Sequence, residues 1–280
     1  MNGALLSTRF TSFEELKSVI GLEYSGHQPE ENGFGRKAWV RVRYCYNGKP
    51  LVSELREGIS QGDLIKVKSG HWTKQAALIL LAPFTVRHRL DLERIYLLAR
   101  IRPNLFGDGD VAFYTLAEAA YRKITTPELA FLTERDSSEK GYINTFNHIT
   151  AQAFITTCFS EALADFVADA HERFHHPELI GGRFTDAQVS DLEEGPVDNY
   201  VDLINNEIGQ ELGKQLKQRY RITRRTYWTP QLMAAYLNDL QRYYSRAFRI
   251  GLKPFHAEEE RVIRFADKIN QVMRRSSFDS

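Results

Sequence analysis

The stretch "RKAWVRVRYCYNGKPLVSEL", residues 36–55, decides the fold class, because it carries the clearest strand pattern in the chain. Side chains alternate between two faces, with Trp39, Arg41, Arg43 and Cys45 on one face and Val40, Val42, Tyr44 and Tyr46 on the other. The dipeptide Asn47-Gly48 favours a two-residue hairpin turn, since both residues tolerate positive φ. Residues 63–72, "DLIKVKSGHW", predict a third strand. The N-terminal region is therefore expected to hold a small antiparallel sheet with helices.

Helical patterns dominate the rest of the chain. We predict helices over residues 142–158, 160–176, 197–220, 229–249 and 256–275. The polar segment "DSSEKG", residues 136–141, is the best internal boundary. The sequence thus predicts an α+β protein with a mixed α/β region over residues 1–135. A mainly α-helical domain over residues 141–280 would carry the functional site.

Composition narrows the class of protein and its compartment. The net charge of the 280 residues is +1, so no strong field attracts nucleic acid or membranes. Cys45 and Cys158 lie too far apart in the chain for a metal or redox motif. The N-terminus lacks a secretory signal, and no apolar run reaches the roughly 18 residues of a membrane span. We expect a chain made in the cytoplasm without a membrane span, and export by a signal-peptide-independent system remains open.

Charge is distributed unevenly along the second half of the chain. Residues 158–213 contain 13 Asp and Glu against two Arg, a net charge of −11. Residues 214–253 contain ten Arg and Lys against one Asp, a net charge of +9. These two segments predict surfaces of opposite sign, which either face each other or meet different partners.

The segment "HERFH", residues 171–175, has the pattern His-Glu-x-x-His. On a helix, His171 and His175 would project from one face and could bind one zinc ion, with Glu172 as the base that activates water. Pro177 follows closely, which places His175 in the last turn of the helix. The alternative is a histidine cluster that complements a helix C-terminus. Zinc is accordingly a candidate cofactor, and the absence of any cofactor is the alternative.

A second histidine, His148, joins this site only if the chain turns between two helices. Residues 142–176 contain neither Pro nor Gly, so they could form one unbroken helix. Such a helix would hold His148 and His171 about 34 Å apart. Ser160 is a good N-cap residue, however, and predicts a break at Phe159–Ser160. With that break the two helices run antiparallel, and the imidazoles of His148 and His171 lie at the same height along them. The alternative for His148 is a hydrogen-bonded core histidine.

A stripe of polar residues marks the helix predicted over residues 197–220. Asp202, Asn205, Asn206 and Gly209 follow the spacing i, i+3, i+4, i+7. An apolar face lies next to them, so the stripe should sit at the edge of the core. Asn is a mediocre helix former, so two adjacent asparagines near the core face of a helix indicate a specific role for their side chains. The stripe predicts a buried polar site.

The order "NTFNH" … "ADFVADAHE" … "VDLINNEIG" resembles an uncharacterised bacterial domain family found in secreted and polymorphic-toxin-like proteins. The likeness covers about residues 141–213. The matching motif positions are Asn144, His148, His171, Glu172, Asp202, Asn205, Asn206 and Gly209. The resemblance implies a polar centre that is hydrolytic or metal-binding. A weaker likeness to zincin metallopeptidases rests on His-Glu-x-x-His, with Glu207 in the place of their third ligand.

The leading prediction is a metal-dependent hydrolase, of the kind that bacteria secrete as effector toxins, acting on peptide or peptidoglycan bonds. His148, His171 and Asp202 would be metal ligands or acid–base groups, with His175 as an optional ligand. Glu172 would be the general base. Asn144, Asn205, Asn206 and Gly209 would orient the substrate.

Two alternatives come from other classes. One is a non-enzymatic interaction protein, in which a buried His/Asp/Asn network fixes helix packing and a protein such as an inhibitor or secretion component binds. The other is a nucleic-acid-binding protein or nuclease that uses residues 214–253, where aromatic residues alternate with basic ones. Nucleic acid is the less favoured partner, because such segments more often form a solvated helix face with an aromatic core side.

Overall fold

The computed structural model describes residues 3–25, 38–63, 83–173, 175–176, 179 and 184–275. Within these residues, a three-stranded antiparallel sheet lies in the N-terminal part and helices make up most of the rest. The predicted α+β class is confirmed. No described helix is long and apolar enough to span a bilayer.

The sheet is built around the predicted hairpin. Strand β2 (Trp39–Tyr46) pairs with β3 (Lys49–Arg56), and Asn47 and Gly48 form the turn at φ 48° and 76°. Residues along β2 alternate in burial as the sequence predicts. This alternation lets the sheet bury one face and leave the other to solvent.

The third strand, β1 (Gly21–Ser25), pairs antiparallel with the other side of β2. The sheet order is therefore β1-β2-β3. Of the strand predicted over residues 63–72, all but Asp63 lies outside the described residues. The strand that β1 provides was not predicted.

The helices are short in the first half of the chain and long in the second. The first six are α1 (Phe13–Lys17), α2 (Pro83–Arg87), α3 (Arg89–Ala99), α4 (Pro103–Phe106), α5 (Phe113–Tyr121) and α6 (Pro127–Ala130). The others are α7 (Asn144–Cys158), α8 (Glu161–Glu172), α9 (Asp186–Ser190), α10 (Pro196–Arg219), α11 (Pro230–Phe248) and α12 (Glu260–Arg274). The long helices match the predicted segments closely, except that α8 ends four residues before its predicted end and α12 begins four residues after its predicted start.

The chain divides into two compact units, and each uses two stretches of sequence. Unit 1 comprises Met1–Arg87 and Asp165–Glu207 and contains the sheet. Unit 2 comprises His88–Ala164 and Ile208–Ser280 and is helical. The predicted boundary at residues 136–141 lies within unit 2.

Aromatic side chains fill the core of unit 2. The rings of Phe146 and Tyr244 stack at 4.1 Å. The hydroxyls of Tyr244 and Tyr236 lie 2.8 Å from Thr150 and Thr157 respectively, both on α7. Each buried phenol thus has a hydrogen-bond partner, which removes the cost of burying its polar end.

Close helix packing in unit 2 depends on two glycines of α10. A Cβ on Gly209 would lie 2.7 Å from the carbonyl oxygen of Ile149, and one on Gly213 would lie 2.6 Å from that of Ala153. Neither distance is compatible with a side chain. The spacing of four residues places both glycines on the face of α10 that contacts α7.

Candidate functional site

The chain breaks between α7 and α8 where the sequence predicts. Phe159 leaves the helix at φ −122° and ψ −93°. Ser160 then caps α8, because its Oγ accepts a hydrogen bond from the Leu163 amide at 3.3 Å. The predicted break is confirmed.

The two predicted histidines belong to different units, because the boundary between the units lies within α8, between Ala164 and Asp165. His148 and Asn144 lie on α7 in unit 2, and both are partly exposed. His171 lies near the end of α8 in unit 1. The convergence of His148 and His171 on one site stays a prediction.

The segment His-Glu-x-x-His spans the end of α8 rather than its interior. The helix ends at Glu172, and the amide of His175 donates to the Glu172 carbonyl at 2.8 Å in a tightened turn. The rings of His171 and His175 are nevertheless close, with centroids 5.3 Å apart, and both residues are exposed. His171 Nδ1 lies 3.1 Å from Gln61 Oε1. The two imidazoles therefore form a surface pair.

Glu172 points the other way, into the protein. It is only 2% exposed, and its Oε1 accepts a hydrogen bond from Asn206 Nδ2 at 2.9 Å. Asn206 is itself 4% exposed. A carboxyl group held away from water needs such a donor, because an unpaired buried charge is costly. This contact joins the second and third motifs of the predicted site.

The polar stripe on the first half of α10 is buried, as predicted. Asp198, Asp202 and Asn206 follow one another at intervals of four residues and are all less than a tenth exposed. Asn199, next to Asp198, donates from Nδ2 to the His175 carbonyl at 2.5 Å. This hydrogen bond ties the segment after α8 to the start of α10.

Asp169 and Arg173 also belong to the candidate site, and the sequence analysis missed both. Asp169 is one turn before Glu172 and pairs with Arg173 at 2.7 Å. Burial raises the pKa of Asp169 to about 7, while the charge of Arg173 opposes the rise. Arg173 also donates to the carbonyls of Arg56 and Ile59 at 2.7 and 3.0 Å. The sequence signal for this part of the cluster was the spacing of Asp169, Glu172 and Arg173, which places their side chains at the end of α8.

His176 is a third histidine at this place, and it is buried. It is 1% exposed, and its ring centroid lies 5.2 Å from that of Tyr200. Tyr200 in turn stacks on Phe13 of α1 at 5.8 Å. His176 is therefore part of the unit 1 core, whereas its neighbour His175 faces solvent.

Asn205 has a structural role. Its Oδ1 accepts from the Leu5 amide at 3.1 Å and its Nδ2 donates to the Leu5 carbonyl at 2.8 Å. Asn238 and Asn270 hold the backbones of Phe255 and Trp228 in the same two-bond manner. Asn205 thus fixes the N-terminal segment, and Gly209 is accounted for by the close approach of α7.

Among the described residues, no three His, Cys, Asp or Glu side chains are grouped so that they could hold a metal ion. His171 and His175 offer two nitrogens, which is fewer than the three protein ligands of a catalytic zinc site. The described residues therefore fit a zinc ion incompletely, and zinc binding by His148, His171, Asp202 and His175 stays a prediction.

The thiol of Cys158 is a poor nucleophile. Cys158 is buried on α7, and burial raises the pKa of its thiol to about 12 despite the opposing charge of Lys217.

Many charges of the basic segment are neutralised within unit 2. Lys214 lies 2.8 Å from both Glu161 and Glu211 of the acidic segment. Arg219 and Arg242 pair with Asp239. Of its aromatic residues, Trp228, Tyr236 and Tyr244 are buried, while Tyr227 is 57% exposed. Helix α11 thus has an aromatic core side, and exposed arginines lie both on this helix, at Arg242 and Arg246, and in the loop before it.

No family model, curated protein or solved structure matches the chain.

Proposed function

We propose that the chain is a hydrolase whose reactive groups lie where the end of α8 meets the first half of α10 in unit 1. Glu172 is the general base that takes a proton from the attacking water. His171 and His175, which flank Glu172 in the chain and lie at the surface, serve as acid–base groups for the leaving group or as metal ligands. Asp202 and Asn206 orient Glu172 and the water.

The Glu172–Asn206 hydrogen bond is the observation that carries this proposal. A general base must be ionised and held in a fixed direction. The Asn206 amide donates to the Glu172 carboxylate and limits its rotation. The Glu172 carboxyl also interacts electrostatically with that of Asp169, and titratable groups with shifted pKa values are commoner at active sites than elsewhere.

The proposed substrate is a macromolecule cleaved at peptide or peptidoglycan bonds, and the proposed setting is a bacterial effector toxin. Support comes from the resemblance of the three motifs to the toxin-associated domain family. Exposed imidazoles beside a buried carboxylate also suit a large substrate, because it needs to reach only the surface edge of the site. A metal ion, if bound, would polarise the attacked carbonyl.

A second candidate function is a non-enzymatic interaction protein. Specific observations favour it, since Asn199, Asn205 and Asn206 all donate to groups of the chain itself. In this case the polar cluster fixes helix packing, and a partner protein binds the charged surfaces. Metal analysis separates the two candidates further, because stoichiometric zinc in the purified chain supports the enzyme.

Expression in a bacterial host, directed to the cytoplasm or the periplasm, tests the proposal. We expect the wild-type chain to impair growth in one compartment and His171→Ala to relieve it. His171 is exposed, so its replacement should leave the fold intact. His256→Ala, at another exposed histidine, is the matched control and should stay toxic. Harmless wild type in both compartments, or equal toxicity of His171→Ala, would overturn the proposal.

A further inference from the structure

One surface of unit 2 combines arginines with aromatic rings from four separate segments. It is formed by α3, α4, the loop before α11 and the end of α12, and we call it the arginine–aromatic surface. Its members are Asp91, Arg94, Phe106, Arg224, Arg225, Tyr227, Arg274 and Arg275. All of these residues belong to unit 2.

A chain of direct contacts shows that these segments meet. Arg224 and Arg94 bind the two oxygens of Asp91, at 2.6 and 3.3 Å. Arg94 also donates to the carbonyl of Arg275 at 2.8 Å. Asp91 and Arg94 thus connect the loop before α11 to the end of α12.

Positive charge is in excess on this surface. Asp91 is shared by Arg94 and Arg224, and its side chain is only 10% exposed. Within the described part of the chain, no carboxylate forms an ion pair with Arg225, Arg274 or Arg275. Their charges are therefore available to an anion.

Two of these arginines lie over aromatic rings. The guanidinium carbon of Arg274 is 5.4 Å from the centroid of the Tyr227 ring, and that of Arg275 is 5.1 Å from the Phe106 ring. Tyr227 is 57% exposed, so its ring is accessible to a ligand at the surface. Flat guanidinium and aromatic planes at the surface can stack with the flat faces of nucleobases.

We propose that the arginine–aromatic surface binds single-stranded nucleic acid. The arginines contact phosphates, and Tyr227 stacks with a base. An acidic peptide would satisfy the charges but not the stacked planes, and in duplex DNA the base faces are covered. This function is independent of the hydrolase proposed for unit 1.

Binding of a labelled single-stranded oligothymidylate to the full chain, measured by fluorescence anisotropy over a salt series, tests the proposal. We expect binding at low salt that weakens as salt increases. Arg225→Gln and Arg274→Gln should each lower the affinity and reduce the slope of log affinity against log salt by about 0.7. Tyr227→Leu should lower the affinity about tenfold through lost stacking.

Two control variants make the result specific. Arg122→Gln removes an exposed arginine that pairs with Glu118, away from this surface, and should bind as wild type does. Glu172→Gln should also bind normally, so failure of the hydrolase and failure of this surface are distinguishable. No binding at low salt, equal binding by the surface variants, or equal affinity for a duplex or for polyglutamate would each overturn the proposal.

Discussion

Asn206 on α10 donates a hydrogen bond to the Glu172 carboxylate at the end of α8, over 2.9 Å, and both side chains are buried. The two residues are 34 positions apart in the chain. Glutamine at position 172 can accept the same hydrogen bond through its amide oxygen, because it has nearly the same shape as glutamate. The charge of Glu172 can therefore be removed while its packing and its partner are retained.

We expect Asn205→Ala to destabilise unit 1 by about 2–4 kcal/mol, because the buried amide and carbonyl of Leu5 both lose their hydrogen bond to the Asn205 side chain. Hydrogen exchange of the Leu5 amide, together with urea denaturation, measures the effect. Asn238→Ala removes the equivalent pair at Phe255 and should leave Leu5 protected. Unchanged protection of Leu5 in Asn205→Ala would show that the contact with Asn205 does not hold the N-terminal segment.

Gly209→Ala should destabilise the chain by about 1–3 kcal/mol through overpacking. Alanine normally stabilises a helix interior by up to about 1 kcal/mol relative to glycine, so the sign of the change is informative. Here the new Cβ would lie 2.7 Å from the Ile149 carbonyl oxygen. Gly62→Ala is the control, since its nearest contact would be an ordinary 3.7 Å. Chemical denaturation in which Gly209→Ala is as stable as wild type would contradict the close helix approach.

Asp169 should make the stability of the chain depend on pH in an unusual direction. Burial raises its pKa from 3.8 to about 7, so between these values the folded chain holds a proton that the unfolded chain has released. The stabilising contribution of this carboxyl is full below about pH 4 and is lost as the pH rises to about 7.

The Asp169→Asn variant removes this titration. We therefore expect its free energy of unfolding to rise relative to that of wild type between about pH 4 and 7, whatever the constant cost of losing the Arg173 pair. Urea denaturation of both proteins at several pH values gives the difference. A difference that is constant, or that falls with pH, would mean that Asp169 is ionised throughout.

The sequence was sufficient to predict those elements that are determined by residues close together in the chain. The alternation in β2, the Asn47-Gly48 turn and the cap at Ser160 depend on near neighbours and could be predicted from the sequence. Strand β1 could not, because "GLEYS" has a weak pattern of its own and becomes a strand by pairing with β2. The early end of α8 likewise depends on the contact of Asn199 with the His175 carbonyl.

For the candidate site, the sequence predicted that the polar stripe of α10 is buried, but not that the first half of the helix is buried on all sides, nor what each residue does there. The spacing of Asp202, Asn205 and Asn206 is a property of the helix, and their burial followed from the neighbouring apolar face. Their partners Leu5 and Glu172 are far away in the chain. The division into two units, each made of two stretches, also depends on long-range contacts that no local pattern contains.

Removal of the Glu172 charge tests most directly the proposal that Glu172 is the general base of a hydrolase. Purified wild-type chain and the Glu172→Gln variant are incubated with bacterial peptidoglycan sacculi and with an unfolded protein, and released fragments are identified by mass spectrometry. Our account predicts fragments from one of the two substrates with wild type and none with Glu172→Gln, although circular dichroism and melting temperature are unchanged. Fragments from Glu172→Gln at the wild-type rate, or no fragments from wild type with either substrate, would contradict it.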